Sequence, residues 1–236
     1  MAGIIKPGDP AFNGASAAPV DPRPLVAVCV PCQDLVHHDF MLSLIGMLFV
    51  SQPFCRPALQ TYQGAAISWS RNALVELSLK NKADWLLFVD SDMTFPNETL
   101  GHLLNRGRSV IGATYPRRRA PFDSLGRLKP HPGRDVSNGG VFEAEFIPGG
   151  MLLVKASVFR QIKKPWFEET YDYSQDPPFV TEDYGFCNKA KAAGVSIWID
   201  IDLSQHIGHL SVQACRFPPL KTAPAGLYGM EAVDNA

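Results

Sequence analysis

In the stretch LLFVDSDMTFP, Leu86 to Pro96, an apolar run leads straight into two carboxylates, Asp90 and Asp92, one residue apart. Acids spaced i and i+2 at the end of a buried strand offer oxygen donors to a hard divalent cation such as Mg²⁺ or Mn²⁺, which keeps open positions for substrate phosphates. A turn cap at Asp90 and a solvated Asp92 account for the same residues without chemistry. Further residues of reactive type are scattered along the chain. They are Arg71 and Asn72 in SRNALVE, Gly149 and Gly150 in IPGGMLLV, Glu182 and Asp183 in TEDYG, and His206 and His209 in SQHIGH.

These residues must be brought together by the elements that carry them. LVAVCVP, from Leu25, is a short continuous apolar run ended by proline, which predicts a strand covered on both faces. HHDFMLSLIGMLFVSQP predicts a buried helix stopped before Pro53, and LQTYQG a second strand. In ISWSRNALVELSLKNKADW, Ala73, Leu74, Leu77 and Leu79 recur at helical spacing, with Ser70 as the expected cap. WLLFVDSD follows as a strand, then PNETLGHLLNR as a helix capped near Asn97, then VIGATYP as a strand. VFEAEFIPGGMLLVKASVFRQI reads as strand, Gly-Gly turn, strand and helix, and TEDYGFCNKAKAAG as a helix stopped at Gly194. Strands alternating with helices imply right-handed crossovers and an α/β domain with a mostly parallel central sheet flanked by helices. In such sheets ligands bind beyond the carboxyl ends of the strands, where Asp90 and Asp92 fall.

Composition narrows the field. With 236 residues, 46% of them hydrophobic, the chain is long enough for one good core. A net charge of −1 gives no basic footprint for a nucleic-acid partner. MLSLIGMLFV is about half the length a membrane-spanning helix requires, and no signal-peptide pattern opens the chain, so a cytoplasmic protein is expected. Residues 1–23 read as a loose lead, 24–214 as the folded domain and 215–236 as a tail or linker. Five scattered cysteines, including the CxxC of Cys29 and Cys32, read as buried thiols rather than a metal or redox site. The polar stretch after Tyr115-Pro116, opening with Arg117, Arg118 and Arg119, is expected to overhang a site.

Taken together, VAVCVPCQD, SRNALVE, LLFVDSDMTF, IPGGMLLVKASVF, TEDYGFCNKAKAAG and SQHIGHLS resemble the GT-A glycosyltransferases, over roughly Leu25 to Val212. The form of the set is also similar to glycosyltransferase-like proteins of phages and bacteria. The resemblance implies a GT-A-like domain that moves a sugar from a nucleotide diphosphate sugar to a glycan or other hydroxyl-bearing acceptor. It implies Asp92 as a direct metal ligand, Asp90 reaching ribose or metal, and a histidine as further ligand, His206 first and His209 as its rival. Pro31, Cys32 and Gln33 would lodge base and ribose, with Ser91 between the acids. Arg71 would reach the nucleotide. Gly149 and Gly150 would lie under the sugar, although a tight turn explains them too. Glu182 and Asp183 open a helix whose dipole favours carboxylates, and the resemblance makes Asp183 the base of an inverting transfer. Among Trp166, Phe167, Tyr171 and Tyr173 it suggests an acceptor platform. A retaining enzyme and a noncatalytic nucleotide-sugar-binding module remain alternatives. A nucleotidyltransferase is disfavoured, because PCQDLVHHD has no glycine where such an enzyme needs a Gly-rich loop.

Overall fold

A computed structural model describes residues 21–118, 123–133, 135–174 and 178–211. Most of the expected lead, the whole of the expected tail, and Arg119 lie outside the described residues. Along the chain the elements run β1 (Leu25–Cys32), α1 (His38–Ser51), β2 (Arg56–Gln63), α2 (Ile67–Lys80), β3 (Trp85–Val89), β4 (Met93–Thr94), α3 (Thr99–Asn105) and β5 (Val110–Gly112). They continue as β6 (Arg127–Leu128), β7 (Val141–Phe146), β8 (Met151–Lys155), α4 (Ala156–Gln161), β9 (Thr170–Tyr171), β10 (Phe179–Val180), α5 (Glu182–Ala192), β11 (Trp198–Asp200), α6 (Ile201–Ser204) and β12 (Gly208–His209).

Eight strands form one sheet in the order β2-β1-β3-β8-β5-β11-β7-β6. Six run the same way, while β7 and β8 are reversed. The continuous apolar runs of β1, β3 and β8 are explained by burial on both faces, since successive side chains enter opposite layers. Ala27, Cys29, Leu86, Phe88, Leu152 and Val154 join one core with Leu74, Phe159 and Phe186 from α2, α4 and α5. Val26, Val28, Leu87, Val89, Met151 and Leu153 join the other with Phe40, Met47 and Leu103 from α1 and α3. Each such side chain contributes about 1.5–3 kcal/mol by leaving water. Cys29 and Cys32, three apart on β1, therefore point to opposite faces, and burial pushes the Cys29 thiol up to about 12.

Several local expectations change. IPGG is not a hairpin turn, because β5 and β11 lie between β7 and β8; the link instead returns the chain to the carboxyl end of β3, where Asp90 N donates to Gly150 O at 3.1 Å. Helix α1 is buried along one side only, through Phe40, Leu44 and Met47, while Leu42, Ile45 and Phe49 are exposed. Helix α2 starts at Ile67, so Ser70 is no cap: it lies within the first turns and its hydroxyl donates to Ala66 O at 3.1 Å. Its buried face is Ser70, Arg71, Leu74, Val75 and Ser78, with Leu77 outside. Helix α3 begins after Glu98 rather than Asn97. No helix of the described residues is long and apolar enough to cross a membrane.

Candidate functional site

The carboxyl ends of β1 and β3 and the start of α2 enclose a cavity of ≈ 370 Å³, lined among others by Pro31, Gln33, Asp90, Ser91, Asp92 and Arg118. Six of the expected nucleotide-sugar contacts, Cys32 included, thus share one space. Two short elements complete it. β12 pairs with β4 in the register His209↔Met93, and Leu210 N donates to Asp92 O at 2.7 Å, which hangs the HIGH segment on the residue after Asp92.

That register brings His209, not His206, beside Asp92. His209 Nε2 stands 3.9 Å from Asp92 Oδ2. Its Nδ1 lies 3.0 Å from the Pro116 carbonyl, which fixes the proton on Nδ1 and leaves Nε2 as an acceptor. Burial lowers the pKa of His209 further, holding the ring neutral near pH 7. His206 is exposed and lines a different cavity with Pro96, Thr99, His102 and Leu203. The Arg118 guanidinium fills the gap: Nε donates to His209 Nε2 at 2.9 Å and Nη2 to Asp92 Oδ2. Asp92 Oδ1 is buried and finds no hydrogen-bond partner among the described residues. A buried carboxylate oxygen left without a partner is costly.

A second cluster sits beneath. Arg71 is 2% exposed. Its Nη2 donates to Asp90 Oδ1 at 2.8 Å and Oδ2 at 3.0 Å, and its Nη1 to Glu182 Oε1. Burial alone would pull the Arg71 pKa down, but the Asp90, Glu182 and Asp183 carboxylates outweigh it and raise it. Burial likewise dominates at Glu182, pushing it up to about 7 against the pull of Arg71, with Asp183 adding repulsion. Both oxygens of Asp90 are thus engaged by Arg71, and Glu182 serves as the guanidinium's other anchor rather than as a group open to substrate. Asn72 is half-buried, and its Oδ1 accepts from Trp166 N at 2.8 Å and Phe167 N at 3.2 Å.

Gly149 and Gly150 are buried, and their lack of a side chain has an internal cause. A Cβ on Gly149 would stand 2.4 Å from Arg71 Cζ, and one on Gly150 2.3 Å from the Tyr115 hydroxyl. Gly150 N donates to that hydroxyl at 2.9 Å. Gly149 N donates to Asp183 Oδ2 at 3.1 Å, and the other Asp183 oxygen accepts from Thr181 Oγ1 at 2.6 Å and from Tyr184 N at 2.9 Å. Asp183 is half-buried at the first turn of α5, so it joins the second cluster yet keeps a side toward solvent. Of the aromatic platform, Trp166 and Phe167 belong to the core, stacked among Phe159 and Phe186, while Tyr171 and Tyr173 are exposed.

Tyr115 was not singled out by sequence reasoning, although its place just past β5, at the ligand-binding edge, was the available signal. Among the described residues no set of three or more His, Cys, Asp or Glu side chains gathers for a metal ion; Asp92 and His209 are the pair that could contribute to one. The fit is of an open site that substrate oxygens would complete.

No protein-family profile matches the chain, and no curated protein matches it. Among solved structures it is similar to A197 from STIV, at 15% identity and a TM-score of 0.50, over 84% of this chain and 99% of that one. It is also similar to a Bacillus anthracis protein described as a glucose-1-phosphate thymidylyltransferase, in complex with sucrose, at 10% identity and a TM-score of 0.41, over 75% and 89% of the two chains. The first likeness speaks for the fold alone, a single mixed α/β domain around a large sheet. The second is too loose to bear on function.

Proposed function

We propose that the chain is a metal-dependent glycosyltransferase that moves a sugar from a nucleotide diphosphate sugar to a hydroxyl acceptor, with Asp183 as base. The observation that carries this reading is the carboxylate of Asp92 lining the cavity at the end of β3, with the neutral His209 Nε2 3.9 Å from its Oδ2. Pro31, Gln33 and Ser91 line the space for base and ribose. A Mn²⁺ or Mg²⁺ held by Asp92 and His209 would offset the charge that grows on the departing diphosphate.

Asp90 is not a metal ligand on this reading. Its two oxygens hold Arg71, and Arg71 in turn holds Glu182 at the head of α5, so the buried ion cluster ties the donor end of β3 to the acceptor end at Asp183. Asp183 takes the proton of the acceptor hydroxyl. The freed oxygen forms a bond to the anomeric carbon, and the carbon–oxygen bond to the diphosphate breaks with its electron pair leaving on the phosphate, which inverts the anomeric configuration. Gly149 N and Thr181 Oγ1 hold the Asp183 carboxylate in place for that transfer.

The test is incubation with Mn²⁺ and a panel of nucleotide sugars, reading release of free nucleotide diphosphate. Slow donor hydrolysis that needs Mn²⁺ and vanishes in Asp92→Ala is expected. Binding of a nucleotide sugar with no hydrolysis or transfer across an acceptor panel would favour a noncatalytic module, and hydrolysis unchanged by Asp92→Ala would overturn the site.

A further inference from the structure

We infer that the acceptor is an oligosaccharide chain, received on a ridge of three exposed aromatic rings that leads to Asp183; this rests on the reading of Asp183 as the base. The ridge is built by β9, the residues after it, and β10. Tyr171 and Tyr173, two apart, are 65% and 85% exposed, and Phe179 is 43% exposed. The two tyrosine rings lie 6.1 Å apart with planes only 18° from parallel. Rings covering one another would stand about 3.5–4 Å apart at contact distance, so these lie offset and leave open faces. Phe179 meets Tyr171 edge-on at 5.5 Å and extends the ridge.

The ridge ends in a cavity. Phe179 also lines a space of ≈ 430 Å³ with Arg117, Arg127, Phe146, Thr181 and Tyr184 among its walls. Thr181 and Tyr184 are the residues whose Oγ1 and backbone N hold Asp183 Oδ1. These two residues connect the cavity to the Asp183 carboxylate. The layout is therefore aromatic ridge, polar-walled cavity, base.

Exposed aromatic rings cost water contact and are retained where something covers them. The chemistry of what covers these is specified by their surroundings. A pyranose presents an axial C–H face that packs on an aromatic face and a rim of hydroxyls that needs hydrogen-bond partners. Here the rim partners are at hand: the hydroxyls of the exposed Tyr171 and Tyr173 on the ridge, and Thr181, Tyr184 and the Arg117 guanidinium in the cavity. A small hydroxyl metabolite would fill the cavity and leave the ridge bare; a chain of several sugars uses both.

The experiment titrates the full chain, without donor or metal, with linear oligosaccharides of glucose, N-acetylglucosamine, xylose, mannose and galactose. Saturation-transfer NMR reads the sugar protons and tyrosine fluorescence reads the protein. At least one series is expected to bind, more tightly with chain length; Tyr173→Ala should weaken it at least tenfold and Tyr173→Phe should restore it, with nucleotide diphosphate affinity unchanged in both. Tyr173 is exposed, so neither change threatens folding. If no oligosaccharide binds, or Tyr173→Ala binds like the wild type, the ridge is not an acceptor site. If the protein is dimeric and Tyr173→Ala makes it monomeric, the ridge is a protein interface and the inference fails. Nucleotide binding without sugar binding sinks this inference while leaving the proposed activity standing; sugar binding without nucleotide binding sinks the proposed activity and the acceptor role with it.

Discussion

Arg71→Met tests the buried ion cluster, because methionine keeps much of the side chain's bulk and removes only its charge and donors. Arg71 is 2% exposed and holds Asp90 and Glu182 together. Breaking a buried pair by deleting one partner costs about 3–5 kcal/mol, since a charge is left uncompensated. Glu182 modulates that cost through its proton. In the wild type its carboxyl is pushed from 4.5 to about 7, so folding is already disfavoured by roughly 3 kcal/mol above that pH, at 1.36 kcal/mol per unit. An acid whose folded value is raised contributes stability that is whole below its unfolded value and lost as pH rises through the folded one. The wild-type protein should therefore lose stability from about pH 4.5 to 7 through this group and then level. Without the guanidinium, Glu182 keeps its proton to higher pH, and the loss continues past the point where the wild type has levelled. Urea melts should show Arg71→Met destabilised by about 1 kcal/mol at pH 5, where Glu182 is protonated in both proteins and only the partly solvated Asp90 partnership is lost. At pH 8.5 the difference should reach about 3–5 kcal/mol. Adding Glu182→Gln should recover at least about 1 kcal/mol at pH 8.5 and flatten the pH dependence. An equal loss at both pH values, or a double variant no more stable than the single one, would refute the cluster's electrostatics.

Three further outcomes are expected. Gly150→Ala drives a Cβ to within 2.3 Å of the Tyr115 hydroxyl and 2.9 Å of Asp90 Oδ2 and should lower stability by about 1–3 kcal/mol, with part of it regained on adding Tyr115→Phe; a neutral Gly150→Ala in denaturant melts contradicts the packing. Arg118→Gln removes the cation that bridges Asp92 and His209 and should tighten Mn²⁺ binding about tenfold by electron paramagnetic resonance, about 1.4 kcal/mol; weaker binding would make Arg118 a partner of the metal rather than its competitor. His209→Ala should weaken Mn²⁺ at least about tenfold while His206→Ala leaves it unchanged, and the reverse order would show that the β12–β4 register does not set the ligand.

What was legible in the sequence divides along a physical line. Continuous apolar runs at Leu25–Pro31 and Trp85–Val89 are strands because burial on both faces leaves no polar position in them, and local composition alone carries that signal. The start of α5 and the placing of the paired aspartates at the carboxyl edge follow the same way. Contacts between distant segments do not. Leu77 fits helical spacing as well as Leu74 does, yet it is Arg71 that turns inward, because Glu182 supplies a counter-charge 111 residues later. The apolar residues of α1 read as buried on all sides, whereas the fold covers only one side of that helix. His206 and His209 differ by three positions in one short segment, and only the pairing of β12 with β4 decides between them. The reversal of β8, and hence the approach of Gly150 to Asp90, needs the strand order, which periodicity does not encode.

The charge balance of the two clusters bears on why a dication belongs here at all. Asp90, Asp92, Glu182 and Asp183 face Arg71 and Arg118, with His209 held neutral by burial. Even with Glu182 protonated about half the time near pH 7, the acids outweigh the two guanidiniums by more than one charge. A diphosphate entering such a cavity meets repulsion, and Arg71 is too deep to relieve it. Among the described residues Arg118 is the one arginine or lysine lining that cavity, beside His37, and its charge is already spent on Asp92. A divalent ion taken up by Asp92 and His209 changes the sign of the local field and frees the Arg118 guanidinium for the phosphates. On this argument metal and nucleotide bind cooperatively, each tightening the other by the same factor. Mn²⁺ titrations with and without a nucleoside diphosphate should then differ by at least about tenfold, about 1.4 kcal/mol. The gain should shrink in Arg118→Gln, because the guanidinium released by the metal is what the phosphates gain. Equal Mn²⁺ affinity in the presence and absence of nucleotide would mean that the site's negative field is not what excludes the diphosphate.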